Sequence, residues 1–182
     1  MCPRKVPITK MQDVVVFENK YVTVHNDVVA LPSGNQGRYL RIVENDGKPG
    51  VAALAMASGK IALVHVYRYP TQAWEWAIPR GFGHTDDPAE SIKQELLEEV
   101  GGIPERIEHL VRVASNSGLL AGHVEIYVAH YSVIPSGPLD VDEISDIRWE
   151  TPAQLQKEIL SGDITDAFTI AAYGTALAKS LF

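Results

Sequence analysis

Through the first half of the chain, short runs of β-branched and aromatic residues alternate with turn clusters. Residues 14–17 and 21–24 are two such runs, and Glu18-Asn19-Lys20 between them suits a short hairpin. Asn26-Asp27, Pro32-Ser33-Gly34-Asn35 and Asn45-Asp46-Gly47 carry turn chemistry. Residues 38–44 alternate polar and apolar, as a half-buried strand does. Residues 51–57 and 61–69 predict two more strands joined at Ser58-Gly59-Lys60. The second is long and mostly apolar, which places it inside its sheet.

The period then changes. Residues 88–100 predict a helix, with Asp87 as N-cap, Pro88 at the first position and Glu90 completing a capping box. Gly101-Gly102 stops it. Strands are expected at 109–114, 123–134 and 147–149, with an acidic loop over 135–146. Thr151-Pro152 and Gln154 open a second capped helix, Ser161-Gly162-Asp163 breaks it, and residues 166–181 form the last. No internal repeat is visible. The order predicts an α/β chain: a mixed sheet with helices packed on it, preceded by a small antiparallel β-region. The boundaries expected are residues 1–48 for that region and 49–182 for the main domain.

Composition narrows the function. Hydrophobic residues make up 46% of the 182 and charged residues 21%, a globular balance. The formal net charge of −7 opposes the cation clusters that a nucleic-acid backbone requires. Cys2 is the only cysteine, which excludes an intramolecular disulfide and suits a reducing compartment. The opening segment has basic residues without an apolar stretch behind them, unlike a signal peptide, and no apolar run approaches membrane-spanning length. A cytoplasmic protein with no membrane or nucleic-acid partner is expected.

The acids are not spread evenly. Residues 86–99 hold six acids and one lysine, and residues 140–146 hold four acids and no base. On the helix over 88–100, Ile92, Leu96, Leu97 and Val100 predict one apolar face, while Glu95, Glu98 and Glu99 gather on another. Like charges three or four residues apart repel by about 0.2–0.5 kcal/mol per pair unless a cation lies between them. Hard oxygen ligands from one helix suit Mg²⁺ or Mn²⁺. For these three residues alone, a solvated glutamate face is the commoner arrangement.

The segment upstream changes that weighing. Trp74-Glu75-Trp76-Ala77-Ile78-Pro79-Arg80-Gly81-Phe82-Gly83 leads from a strand through a loop into the capped helix. Gly81, Asp86 and Gln94-Glu95-Leu96-Leu97-Glu98-Glu99-Val100-Gly101 resemble the Nudix box, G-x5-E-x7-R-E-U-x-E-E-x-G-U, where U is a bulky aliphatic residue. The box is degenerate. Four residues separate Gly81 from Asp86, one fewer than the pattern has; Asp86 replaces Glu, Gln94 replaces Arg, and Gly102 takes the last aliphatic position. The resemblance implies the Nudix α/β/α sandwich.

Three features resemble the ADP-ribose pyrophosphatase branch: the N-terminal β-region, Val66-Tyr67-Arg68-Tyr69 followed by Trp74-Glu75, and the ending from Asp146 through Ala167. That branch uses its N-terminal region to form a domain-swapped homodimer. A homodimer is therefore expected, acting on a nucleoside diphosphate derivative. The branch's Ser-x-Gly-x-x-x-Glu segment is only half present, because Gly122 stands where the Glu would be.

The family's roles carry over as follows. Glu95, Glu98, Glu99 and the Arg80 carbonyl are the implied metal ligands, with Mg²⁺ or Mn²⁺ as cofactor. Glu98 and Glu99 are the implied catalytic residues, and Glu143 on the acidic loop is the candidate general base, with Asp142 second and Glu99 a third option. Asp86 would stabilise the box loop. Arg68 is a candidate partner for a substrate phosphate, Glu75 belongs to the substrate-binding approach, and Trp74, Trp76 and Phe82 are candidates to stack on adenine. His84 in the box loop could touch a phosphate. Competing readings are a non-catalytic Nudix fold that binds a nucleotide or protein, and a hydrolase of another nucleotide sugar or a triphosphate. No serine nucleophile elbow, P-loop or dinucleotide fingerprint occurs.

Overall fold

The computed structural model describes residues 6–83, 85–137, 139–140 and 142–182; Cys2 and His84 lie outside the described residues. The chain divides into two compact units. One holds the residues up to Lys48 together with Asn116–Gly122, and the other holds Pro49–Ser115 and His123–Phe182. Among the described residues no helix is long and apolar enough to cross a membrane.

The first unit is a four-stranded antiparallel sheet of β1 (Thr9–Gln12), β2 (Val15–Glu18), β3 (Val22–Ala30) and β4 (Gln36–Glu44). The expected hairpin forms: Phe17 faces Val24, and the Asn19 side chain accepts from the Tyr21 and Val22 amides at 2.8 and 2.9 Å. Residues 9–12 show no apolar alternation, yet they form β1. β3 runs past the end of β2, and its free edge pairs Lys10 with Val29. The returning segment docks on β4, where the Ala121 amide donates to the Ile42 carbonyl. Asp27 is buried here and answered by Arg41 Nε at 2.9 Å, while Asp13 takes Arg41 Nη2 at 3.0 Å and His25 Nδ1 at 2.6 Å.

The second unit is the α/β/α sandwich. Its mixed sheet contains β5 (Gly50–Ala57), β6 (Lys60–Arg68), β7 (Ala73–Ala77), β8 (Arg80–Phe82), β9 (Arg106–Val113), β10 (Val124–Tyr131) and β11 (Ile144–Glu150). β5 runs parallel to β10, and the other pairings are antiparallel. β5 is buried on both faces, which is why residues 51–57 read as an uninterrupted apolar run. Val51, Ala53 and Ala55 pack against α1 (Pro88–Val100), while Ala52 and Leu54 join the core under α2 (Pro152–Ser161) and α3 (Ala167–Ala178).

Several boundaries differ from expectation. β9 starts at Arg106, β10 stops at Tyr131, and β11 starts at Ile144, so that the acidic loop begins and ends three residues earlier than expected. α2 has the full capping box between Thr151 and Gln154. In α1, Asp87 caps through the Ala89 amide, while Glu90 is drawn to Lys93 at 2.6 Å.

The divergence of β5 and β6 positions the site. They pair only at their turn, Met56 with Ile61 and Ala57 with Lys60. Beyond it, β7 takes the free edge of β6 and β8 that of β5. Ile78-Pro79 is all that joins β7 to β8, crossing the opening in the sheet beneath α1.

Candidate active site

α1 buries an unexpected face. Its buried residues are Ser91, Ile92, Glu95, Leu96, Glu99 and Val100, whereas Leu97 is 46% exposed. Two glutamates thus lie on the packed side and a leucine expected in the core does not. Amphipathic patterning assigns charge to solvent, and it fails here because the protein supplies partners for the carboxylates.

Those partners come from residues 80–81. The Arg80 amide donates to Glu99 Oε2 at 2.8 Å. Along an extended strand a residue's N–H and C=O point to the same edge, so the Arg80 carbonyl also faces the Glu99 side. The Pro79 carbonyl points the other way and accepts from the Ala53 amide at 3.0 Å. At Gly81 a Cβ would lie 2.1 Å from Glu95 Oε1. Only the absence of a side chain lets the Glu95 carboxylate rest there.

Glu99 has a pKa pushed up to about 8. Burial is the main cause; the neighbouring charges of Glu95 and Glu143 push the same way, while the Arg80 amide and Arg68 oppose them. Glu98 is half-buried and accepts from Gln94 Nε2 at 3.1 Å. Gln94 therefore orients a carboxylate through an uncharged hydrogen bond.

Glu143 sits on an exposed turn stitched to the C-terminal end of α1. The Asp140 amide donates to the Glu98 carbonyl at 2.9 Å, and the Gly137 amide to the Gly101 carbonyl at 3.1 Å. A Cβ on Gly137 would lie 2.2 Å from that carbonyl oxygen.

On the facing strands, Val66 pairs with Glu75 and Arg68 with Ala73, which puts Arg68 and Glu75 on the α1 face of the sheet. Burial, with repulsion from Arg80, pushes the Arg68 pKa down, and its Nε is buried without a hydrogen-bond partner among the described residues. Trp74 and Phe82 are not brought to this cluster. Trp74 stacks on His65 with centroids 5.0 Å apart, on the face that carries Trp76. Phe82 lies two residues from Arg80 on the strand, so it shares the Arg80 face, opposite to Gly81. Trp76 packs between His65 and the Arg148 guanidinium.

Asp166 and Thr169 escaped the sequence reading as part of the site. Asp166 Oδ1 meets Arg80 Nη2 at 3.0 Å, and its Oδ2 accepts from the Thr169 amide and hydroxyl at 2.8 Å each. Thr169 Oγ1 in turn accepts from the Ile78 amide at 3.0 Å. The available signal was an Asp N-cap with Thr three residues later, which reads as ordinary helix punctuation.

The donor set fits a divalent cation. Glu95, Glu98 and Glu99 with the Arg80 carbonyl are all hard oxygens. Burial and crowding by Glu95 and Glu143 disfavour the ionised form of Glu99, and a cation held there would favour it again.

A family model described as the NUDIX domain matches residues 47–168. A CMP-5'-(N-acetyl-N-hydroxy-3-aminopropyl)phosphonate hydrolase of Streptomyces rubellomurinus (strain ATCC 31215) is 26% identical over 140 residues, covering 74% of this chain and 65% of that protein. The chain thus spans less than two thirds of that relative's length. A methanol dehydrogenase activator of Bacillus methanolicus is 29% identical over 160 residues, covering 86% of this chain and 85% of the activator. Among solved structures, an ADP compounds hydrolase aligns with a TM-score of 0.80 and 16% identity, covering 96% of this chain and 95% of that one. At that identity the likeness speaks for the fold.

Proposed function

This chain belongs to the Nudix family, and from that premise we propose that it hydrolyses the pyrophosphate bond of an ADP-ribose-like nucleoside diphosphate derivative, giving AMP and a sugar phosphate. Nudix enzymes typically use divalent metals such as Mg²⁺. The observation that carries the reading is the convergence of buried Glu95 and Glu99 on the Arg80-Gly81 main chain.

Glu95, Glu98, Glu99 and the Arg80 carbonyl would hold the metal. Bound there, Mg²⁺ supplies neutralisation of diphosphate charge and activation of water. Arg68 presents a half-buried guanidinium whose Nε has no hydrogen-bond partner among the described residues, suited to pairing with a phosphate oxygen. Glu75 approaches the substrate from the same sheet face. Glu143 is the general base in this scheme, on a loop whose Asp140 amide is tied to α1. The homodimer belongs to the same proposal. It is supported by the exposed apolar side chains of the N-terminal sheet, Met11, Val15, Val16 and Phe17. Sedimentation at the mass of a single chain would remove it.

The experiment is a substrate panel with Mg²⁺ or Mn²⁺: ADP-ribose, other nucleotide sugars, nucleoside triphosphates and a CMP-linked phosphonate. The phosphonate is included because one relative is named for that substrate. AMP release from ADP-ribose that disappears in Glu98→Gln and Glu99→Gln supports the proposal. Turnover confined to another member reassigns the substrate. Binding without turnover of any member replaces the enzyme with a nucleotide-binding module.

A further inference from the structure

We infer that Asp166 is a positioning residue, which aims the Arg80 peptide at the glutamate cluster from the opposite face of the sheet; this rests on the Nudix metal-site reading above.

The link Ile78-Pro79 lies outside the strands and Arg80 only begins β8, so the backbone groups of this segment need partners from several neighbouring elements. Three different elements supply them. Thr169 on α3 takes the Ile78 amide, Ala53 on β5 satisfies the Pro79 carbonyl, and Glu99 on α1 takes the Arg80 amide. Asp166 controls the α3 contribution twice. Its Oδ2 accepts the Thr169 hydroxyl proton, which turns an oxygen lone pair towards the Ile78 amide. Its Oδ1 holds the Arg80 guanidinium at 3.0 Å, and that guanidinium also lies over the Phe168 ring, 4.9 Å from its centroid.

The two ends of Arg80 are therefore fastened to opposite layers. The side chain is tied to α3 and the amide to α1. Arg80 Nε is buried without a hydrogen-bond partner among the described residues, so the ion pair with Asp166 is the charged tether that sets the guanidinium. Asp166 is itself 7% exposed and Thr169 is fully buried, so water is a poor substitute for either contact. A helix needs only an uncharged cap at this position. The carboxylate does more, because its charge reaches across to a residue whose carbonyl faces the cation site.

The test is Mn²⁺ binding by the protein without substrate, followed by the electron paramagnetic resonance of free Mn²⁺. Asp166→Asn keeps a good N-cap and an acceptor for Thr169 but removes the charge facing Arg80. Arg80→Met removes the tether from its other end and leaves the α3 cap intact, which guards against loss of folding in the first variant. Both should weaken Mn²⁺ binding by about tenfold or more, the range seen when a group supporting a metal ligand is removed. Thr151→Ala, which weakens the cap of α2, should lower the melting temperature and leave Mn²⁺ affinity unchanged. Wild-type affinity in both Asp166→Asn and Arg80→Met overturns the inference alone. An equal loss in Thr151→Ala also overturns it, by reducing the effect to general destabilisation. Absence of Mn²⁺ binding in the wild-type protein overturns the metal-site reading together with the inference.

Discussion

A Cβ on Gly81 would come within 2.1 to 2.3 Å of all three atoms of the Glu95 carboxyl group. The obstructing atoms are the end of a flexible side chain, so Gly81→Ala can be accommodated by swinging Glu95 away. Folding should survive with little change in melting temperature. Activity should not, because a ligand displaced by about 1 Å costs roughly 100-fold. Thermal melts beside metal-dependent turnover check the pair of outcomes.

Glu99 sets stability against function. Its folded pKa of about 8 lies above the ordinary 4.5. Between those values the folded protein keeps a proton that the unfolded chain has released, so the metal-free protein loses stability as pH rises through this window. Glu99→Gln keeps an acceptor for the Arg80 amide and cannot ionise. Without metal at pH 9 it should melt above the wild type, by roughly 2–4 °C per kcal/mol recovered, and at pH 5 the two should nearly coincide. The same variant should be inactive. A wild-type melting temperature that stays flat from pH 5 to 9 would contradict this.

Gly101 and Gly137 bring two backbones into contact, and here the obstruction is not a flexible side chain. Gly137→Ala would push against the Gly101 carbonyl and shift the loop that carries Glu143. It should lower both kcat and the melting temperature. Glu143→Gln changes only an exposed side chain, so it should lower kcat, by about 100-fold or more for a general base, and leave the melt unchanged. Steady-state kinetics and calorimetry on both proteins separate the loop's position from its chemistry.

Glu125 supplies an acid-side pH dependence away from the site. Burial alone would raise its pKa, but hydrogen bonds from Arg112 and His109, each at 2.7 Å, outweigh that and hold it below 4.5. A lowered carboxylate stabilises the fold above its unfolded pKa, and that contribution disappears as pH falls through the lower folded value. Wild-type melting temperature should therefore drop between pH 5 and 3 more steeply than that of Glu125→Gln. Parallel curves would show that the cluster contributes nothing.

Local rules alone determined much of this protein. Period-two runs, turn residues and capping signals were enough for most elements, because each depends on neighbours within a few residues. The spacing of Glu95, Glu98 and Glu99 behind Gly81 is likewise local, and it is what puts the proposed metal ligands on α1. Tertiary structure decided the rest. It made β1 a strand, since only the free edge of β3 gives residues 9–12 a partner. It buried Glu95 and Glu99 and left Leu97 exposed, since the Arg80 amide and the missing Gly81 side chain supply what periodicity cannot foresee. It separated Trp74 and Phe82 from Arg68 and Glu75, since strand register assigns faces. It also brought Asp166, 86 residues further along the chain, against Arg80. That contact joins the start of β8 to the N-cap of α3, and a long-range ion pair of this kind has no signature in local sequence.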